Sequence, residues 1–179
     1  MNTPKEWQDY CKNKVDEILQ DVGDSFPLKA PIPISEVIST YLGDVHIVAS
    51  MDHDFPDGVS AFSQKDMNLG WIVVVNGKES VERQRFSAAH ELGHIALFKN
   101  QSSRVFCSGE SNNLEEKLCD RFAGDILMPE SFVRKLYKTN TPHYLEDVAK
   151  LFKVSKQVAE IQLKRLGLPF TSRRVFVDF

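Results

Sequence analysis

Five consecutive residues, His90-Glu91-Leu92-Gly93-His94, constrain this chain more than any others. They spell H-E-x-x-H inside an apolar, helix-forming stretch from Phe86 to Phe98. Positions four apart on a helix lie one above the other, so both imidazoles face the same way. Each can give a nitrogen to one metal ion at roughly 2.0–2.1 Å. Glu91 lies about 100° round the helix from His90, too displaced for a good third ligand but within reach of a water on the metal. That is the arrangement expected of a zinc-dependent hydrolase, with Glu91 as general base. The competing reading is two surface histidines on an ordinary amphipathic helix. Context counts against it. Phe86, Ala89, Gly93 and Leu97 make one helical stripe, and the histidines lie on its flank. Gly93 costs about 1 kcal/mol in a helix interior relative to Ala, which suits the close approach of another backbone.

A catalytic site of this kind needs a third protein ligand and an open position for water. The next candidates lie in Leu114 to Pro129, where Leu114, Leu118, Phe122 and Ile126 recur every four residues and predict an amphipathic helix. Glu116 and Asp120 fall four apart on one face of it. Glu116 can supply a metal oxygen. Asp120 can accept the second ring N–H of a ligand histidine and fix its tautomer. Taken alone these residues read equally well as a solvated acidic face. After an upstream HExxH, E-x-x-x-D reads as the second half of a gluzincin-type site. Glu115 remains the alternative ligand if the register slips by one.

The chain here resembles a known family. Arg83-Gln-Arg-Phe-Ser-Ala-Ala-His-Glu-Leu-Gly-His94, Glu116-x-x-x-Asp-Arg-Phe-Ala123 and Leu127-Met-Pro129 are similar to the motifs of the ImmA/IrrE metallopeptidases. Pro31 to Ile34 and the stretch Gly58 to Asn76 are similar too. The resemblance covers Leu28 to Glu130 well and the C-terminal third more loosely. Two departures stand out: Ser87 where Thr is usual, and Cys119 where Ala is usual, beside Asp120. The resemblance implies a cytoplasmic peptidase that cuts one regulatory partner, often a helix-turn-helix repressor. It implies zinc as cofactor, though manganese or iron suits the same ligands.

Composition agrees. At 179 residues, 42% of them apolar, the chain predicts one main domain, with a core over 1–140 and an appended segment over 141–179. Cys11, Cys107 and Cys119 are odd in number and show no paired spacing, which suits a reducing compartment. Residues 1–24 lack the apolar core of a signal peptide, and no stretch reaches the length of a membrane span.

The remaining elements follow from periodicity. Helices are expected over Thr3 to Val22 and Ile34 to Leu42, the second capped by Ser35 and stopped by Gly43. Val45–Ser50, Gly58–Ser63 and Trp71–Asn76 predict strands. The active-site helix starts after Ser80, Lys99 to Asn113 reads as a loop, and a short helix follows Pro129. Leu145 to Leu166 resembles a helix-turn-helix, with Lys153 where the turn usually has Gly. Lys156, Lys164 and Arg165 favour phosphate contact there, and Glu160 opposes it. Packing on the core or gripping a protein substrate is the preferred reading, and direct DNA binding is not expected. Arg173 to Phe179 predicts a final strand.

The expected fold is α+β and gluzincin-like. A small antiparallel sheet packs on the active-site helix and the glutamate helix, with a helical C-terminal part. His90, His94 and Glu116 hold the metal, Glu91 moves the proton, and Asp120 stands behind the ligands. Tyr137 and His143 are candidates for stabilising the transition state, and His46 and His53 read as ordinary residues. Two other functions compete: a DNA- or protein-binding regulator with a structural or inactive metal site, and a metal-dependent hydrolase of a non-peptide substrate. Glu91 counts against the first, since a structural site needs no base.

Overall fold

The computed structural model describes residues 4–98, 113–138 and 142–172. Helix α1 (Pro4–Ser25) puts Cys11, Val15, Ile18 and Val22 on one buried stripe, at helical spacing. Helix α2 (Ile34–Leu42) starts one residue before Ser35. Its N-cap is Pro33, with no side-chain cap, so Ser35 does not play the capping role expected of it. Gly43 ends the helix at φ 73°, donating its N–H to the Ser39 carbonyl.

Strands β1 (Val45–Ser50), β2 (Ala61–Asp66) and β3 (Gly70–Asn76) form one sheet in the order β1-β3-β2. The expectation of an antiparallel sheet needs correction. β2 pairs with β3 antiparallel, but β1 pairs with β3 parallel, so the sheet is mixed. Period-two alternation assigns faces but not neighbours, so the order was beyond its reach. One clue was present: the continuous run Trp71-Ile-Val-Val-Val75 suits a central strand, and β3 is central. β2 also begins three residues later than expected. Gly58, at φ 80°, and a turn from the Val59 N–H to the Pro56 carbonyl occupy the start of the predicted span. The β2–β3 hairpin is closed by Asp66, whose carboxylate accepts from the N–H groups of Asn68 and Leu69.

Helix α3 (Val81–Phe98) runs under the inner face of this sheet and is buried almost continuously from Ser87 to Leu97. It is more central than an amphipathic surface helix, because α1, α2, α4 and the sheet all pack on it. Helix α4 (Asn113–Leu127) lies against α3, and α5 (Glu130–Leu136) follows Pro129 as N-cap.

The C-terminal part has α6 (Leu145–Phe152) and α7 (Lys156–Leu166), with short parallel strands β4 (His143–Tyr144) and β5 (Phe170–Thr171). Lys153 turns the chain in the left-handed region at φ 50°, where Gly was missed in the sequence. Ser155 caps α7 by accepting from the Val158 N–H. Leu145, Val148, Phe152 and Leu163 join the same hydrophobic cluster as Ile18, Leu92 and Ile126. The expected loop Lys99 to Asn113 (bar its last residue, which opens α4) and the expected strand Arg173 to Phe179 lie outside the described residues.

Candidate metal centre

The site is built where α3 and α4 touch. Their approach depends on Gly93. A Cβ placed there would stand 3.2 Å from Phe122 Cδ1 and 3.3 Å from the Cys119 Cα, tighter than ordinary packing. The missing side chain lets α4 close on α3, which brings Glu116 and Asp120 over the two histidines.

The imidazoles of His90 and His94 present Nε2 atoms 3.0 Å apart. The Glu116 carboxylate lies 3.2 Å from His90 Nε2 through one oxygen and 3.5 Å from His94 Nε2 through the other. Ligands at roughly 2.0–2.2 Å from one ion stand about 3.3–3.6 Å from each other in a tetrahedron. The observed separations of 3.0–3.5 Å lie at or a little under that spacing, so a small opening of the group would admit a divalent ion with one position left for water or substrate. On the far side of His90, Nδ1 bonds Asp120 Oδ1 at 2.9 Å, which sets the ring so that Nε2 points inward.

Charge follows the same geometry. Burial alone would lower the His90 pKa, but its bonds to Asp120 and Glu116 outweigh that and raise it to about 9. Burial and the neighbouring His90 lower His94 to about 4. Glu116 is held below the usual carboxylate range, chiefly by its bond to His90, against its own partial burial. Glu116 is thereby favoured as the ionised carboxylate that a metal needs, and a metal at His90 Nε2 has to displace a proton there.

Cys119 needs weighing as a rival ligand. Its sulfur lies with donor atoms of His90 and His94 inside a 4.8 Å group. It is fully buried, and burial, reinforced by Glu116 and Glu91, pushes the thiol far above its ordinary range. A metal would deprotonate a thiol that it bound, so this shift does not exclude Cys119. Glu116 is the donor we favour, because its two oxygens lie 3.2 and 3.5 Å from the two Nε2 atoms, and Cys119 stays a candidate ligand beside it.

Glu91 is 1% exposed. Ser63, the third residue of β2, donates its hydroxyl to Glu91 Oε2 at 2.6 Å. Sequence reasoning did not find this residue. Its only trace was a serine at an inward position of a strand whose other inward neighbour is Ala61. Tyr137 and His143 form a ring pair of their own, 4.7 Å between centroids, and His143 Nε2 bonds the Leu136 carbonyl. Among the described residues no hydrogen bond or ring contact joins either to His90, Glu116 or Asp120. The carboxylate that approaches both Nε2 atoms is that of Glu116. His53 packs edge-on against Phe55 and tilted against Phe62, and His46 lies exposed on β1.

Comparison with known proteins matches the same stretch. The model of the IrrE N-terminal-like domain covers residues 44–164, from the first strand through α7. The chain belongs to this peptidase family. Within the IrrE-like group, the radiation response metalloprotease IrrE of Deinococcus radiodurans is 32% identical over 124 aligned residues, covering 60% of this chain. The matched region spans only 38% of that protein's length. A solved structure of a Mycobacterium tuberculosis transcriptional regulator superimposes with a TM-score of 0.59 at 15% identity. That match covers 89% of this chain and 50% of the other, and at such low identity it speaks for the fold alone. No helix among the described residues of this IrrE-like chain is long and apolar enough to cross a membrane.

Proposed function

We propose that this chain hydrolyses peptide bonds with a zinc ion held by His90, His94 and Glu116, Glu91 as general base and Asp120 as the support of His90. The convergence of two Nε2 atoms and one carboxylate within 3.0–3.5 Å carries the reading. The donor set, two imidazole nitrogens and a carboxylate oxygen, is that of catalytic zinc sites, and manganese would suit it as well. When bound, the ion supplies Lewis acidity, lowering the pKa of water toward about 7 and polarising the scissile carbonyl. Glu91 accepts the proton of the attacking water and delivers it to the departing amine. Asp120 keeps His90 Nε2 aimed at the site throughout.

Substrate backbone is held along β2. The Asn76 N–H donates to the Ser60 carbonyl, so residue 60 is in a hydrogen-bonded pair with β3. Alternation then turns the N–H and C=O of Ala61, Ser63 and Lys65 to the outer edge of the sheet, beside the Glu91 contact. An extended peptide adds there as a further strand.

The substrate we infer is one regulatory protein, a helix-turn-helix repressor, cut once. The family resemblance supports this, as does a C-terminal helical pair integrated with the catalytic core. The competing DNA-binding reading gains little. Lys156 pairs with Glu146, Lys164 with Glu160 and Arg165 with Asp125, so the basic residues of α7 are already compensated. The test is incubation of the zinc-loaded protein with helix-turn-helix repressors of the same organism, starting with any encoded next to it. One discrete cut, abolished by a chelator, is expected. Rapid digestion of casein to small fragments would point to a general protease. A retarded operator duplex whose affinity falls steeply with salt would favour the regulator.

A further inference from the structure

We propose that Ser63 is the positioning residue of Glu91, fixing the carboxylate of the general base from the edge strand of the sheet. The inference rests on the peptidase reading of Glu91.

Ser63 faces inward from β2, where Ala61, Val73 and Val75 around it are apolar and buried. A hydroxyl in such a place costs stability unless it is bonded. Its partner is Glu91 Oε2, and the 2.6 Å separation is that of a charge-assisted O–H···O⁻ bond. A glutamate side chain has three rotatable bonds, and proton transfer needs its oxygen within about 2.6–3.2 Å of the proton it takes. Anchoring one oxygen sets the carboxylate plane, and so the direction in which the other oxygen lies. The same residue turns its backbone N–H and C=O to the sheet edge where the substrate strand is laid. Base and substrate are thereby held to one frame. A shift of the edge strand moves both together, and the distance between them is kept.

The experiment uses the full chain loaded with zinc, a library of quenched-fluorescence octapeptides as probe, and the variants Ser63→Ala and Ser63→Thr. Each is made alone and with Glu91→Gln, and Ser63→Ala is also crystallised. Ser63→Ala is expected to bind zinc as before and keep KM, while kcat falls roughly 10–100-fold, the loss that misplacement of a reacting group brings. Ser63→Thr, which keeps the hydroxyl, recovers most of it. In the Glu91→Gln background Ser63→Ala removes nothing further, because two residues acting as one unit are not additive. In the crystal, the Glu91 carboxylate leaves its place. Wild-type kcat in Ser63→Ala, or an equal loss in both backgrounds, overturns the proposal. If the wild-type protein cleaves neither the library nor a helix-turn-helix repressor, the peptidase reading fails, and the place of Glu91 in the variant crystal alone decides whether Ser63 fixes it.

Discussion

Two adjacent carboxylates, Glu115 and Glu116, show how much a single residue step matters. On a helix they point about 100° apart, so only one can meet both imidazoles. The structure gives that place to Glu116. His90→Ala, His94→Ala and Glu116→Ala should each lose the metal, and Glu115→Ala should keep it, by metal analysis of purified protein. An exchange of phenotypes between the two glutamates would refute the ligand set. Glu91→Gln should retain metal and fold while turnover drops about 10²–10⁴-fold, since an amide cannot take the proton. Asp120 has a side chain more than half exposed, so its bond to His90 is partly screened. Asp120→Asn should weaken metal affinity or activity by about 10–100-fold, as loss of a partner behind a ligand does. Unchanged affinity and turnover would remove Asp120 from the site. At this scale the HExxH and ExxxD spacings were legible because i, i+4 geometry is local. Ser63 was not legible. It reaches Glu91 across 28 residues, through a strand order that no local pattern encodes.

Between the two helices that carry the site, the close approach is at Gly93. Gly93→Ala sets a helix-propensity gain of about 1 kcal/mol against crowding of about 1–3 kcal/mol. The Cys119 Cα is backbone and cannot swing aside. Crowding therefore wins, and we expect a net destabilisation of about 1 kcal/mol, with a larger loss for Gly93→Val. Because α4 carries Glu116, metal affinity should fall with stability in the same series. Calorimetry and metal titration check the two together. A stabilised Gly93→Ala protein with full metal affinity would mean that the helices do not meet as described. The sequence suggested this contact through an otherwise costly glycine in mid-helix. The faces of the helices were also readable from spacing, as Cys11, Val15, Ile18 and Val22 illustrate. The partner of β1 was not readable, since parallel and antiparallel neighbours demand the same alternation.

At the scale of the whole molecule, the α6–α7 pair was expected to pack on the core, and its charges were the open matter. Arg165 is bound to Asp125, and the Gln162 amide also donates to Asp125 at 3.0 Å. Charge reversal at Arg165 therefore disturbs the α4–α7 contact as well as any docking surface. Lys156 and Lys164 are the cleaner probes. Their reversal should weaken cleavage of the repressor while metal content stays unchanged, if this surface docks the substrate. Equal cleavage by both variants would place docking elsewhere. The turn at Lys153 shows why a sequence match to the helix-turn-helix pattern was loose: a lysine takes the left-handed position that glycine would hold without strain.

Arg85 carries one more consequence. From the first half of α3 its guanidinium donates to the Ile32 carbonyl at 2.8 Å and to the Lys153 carbonyl at 3.1 Å. One side chain thus ties the segment around Ile32, helix α3 and the turn of the C-terminal pair into a single knot. The C-terminal pair is consequently not a detachable module. A version truncated after residue 140 would leave this guanidinium short of an acceptor and the apolar faces of Leu92's cluster open to water. Grafting the half that carries His90, His94 and Glu116 onto another carrier would mean carrying α6 and α7 along with it.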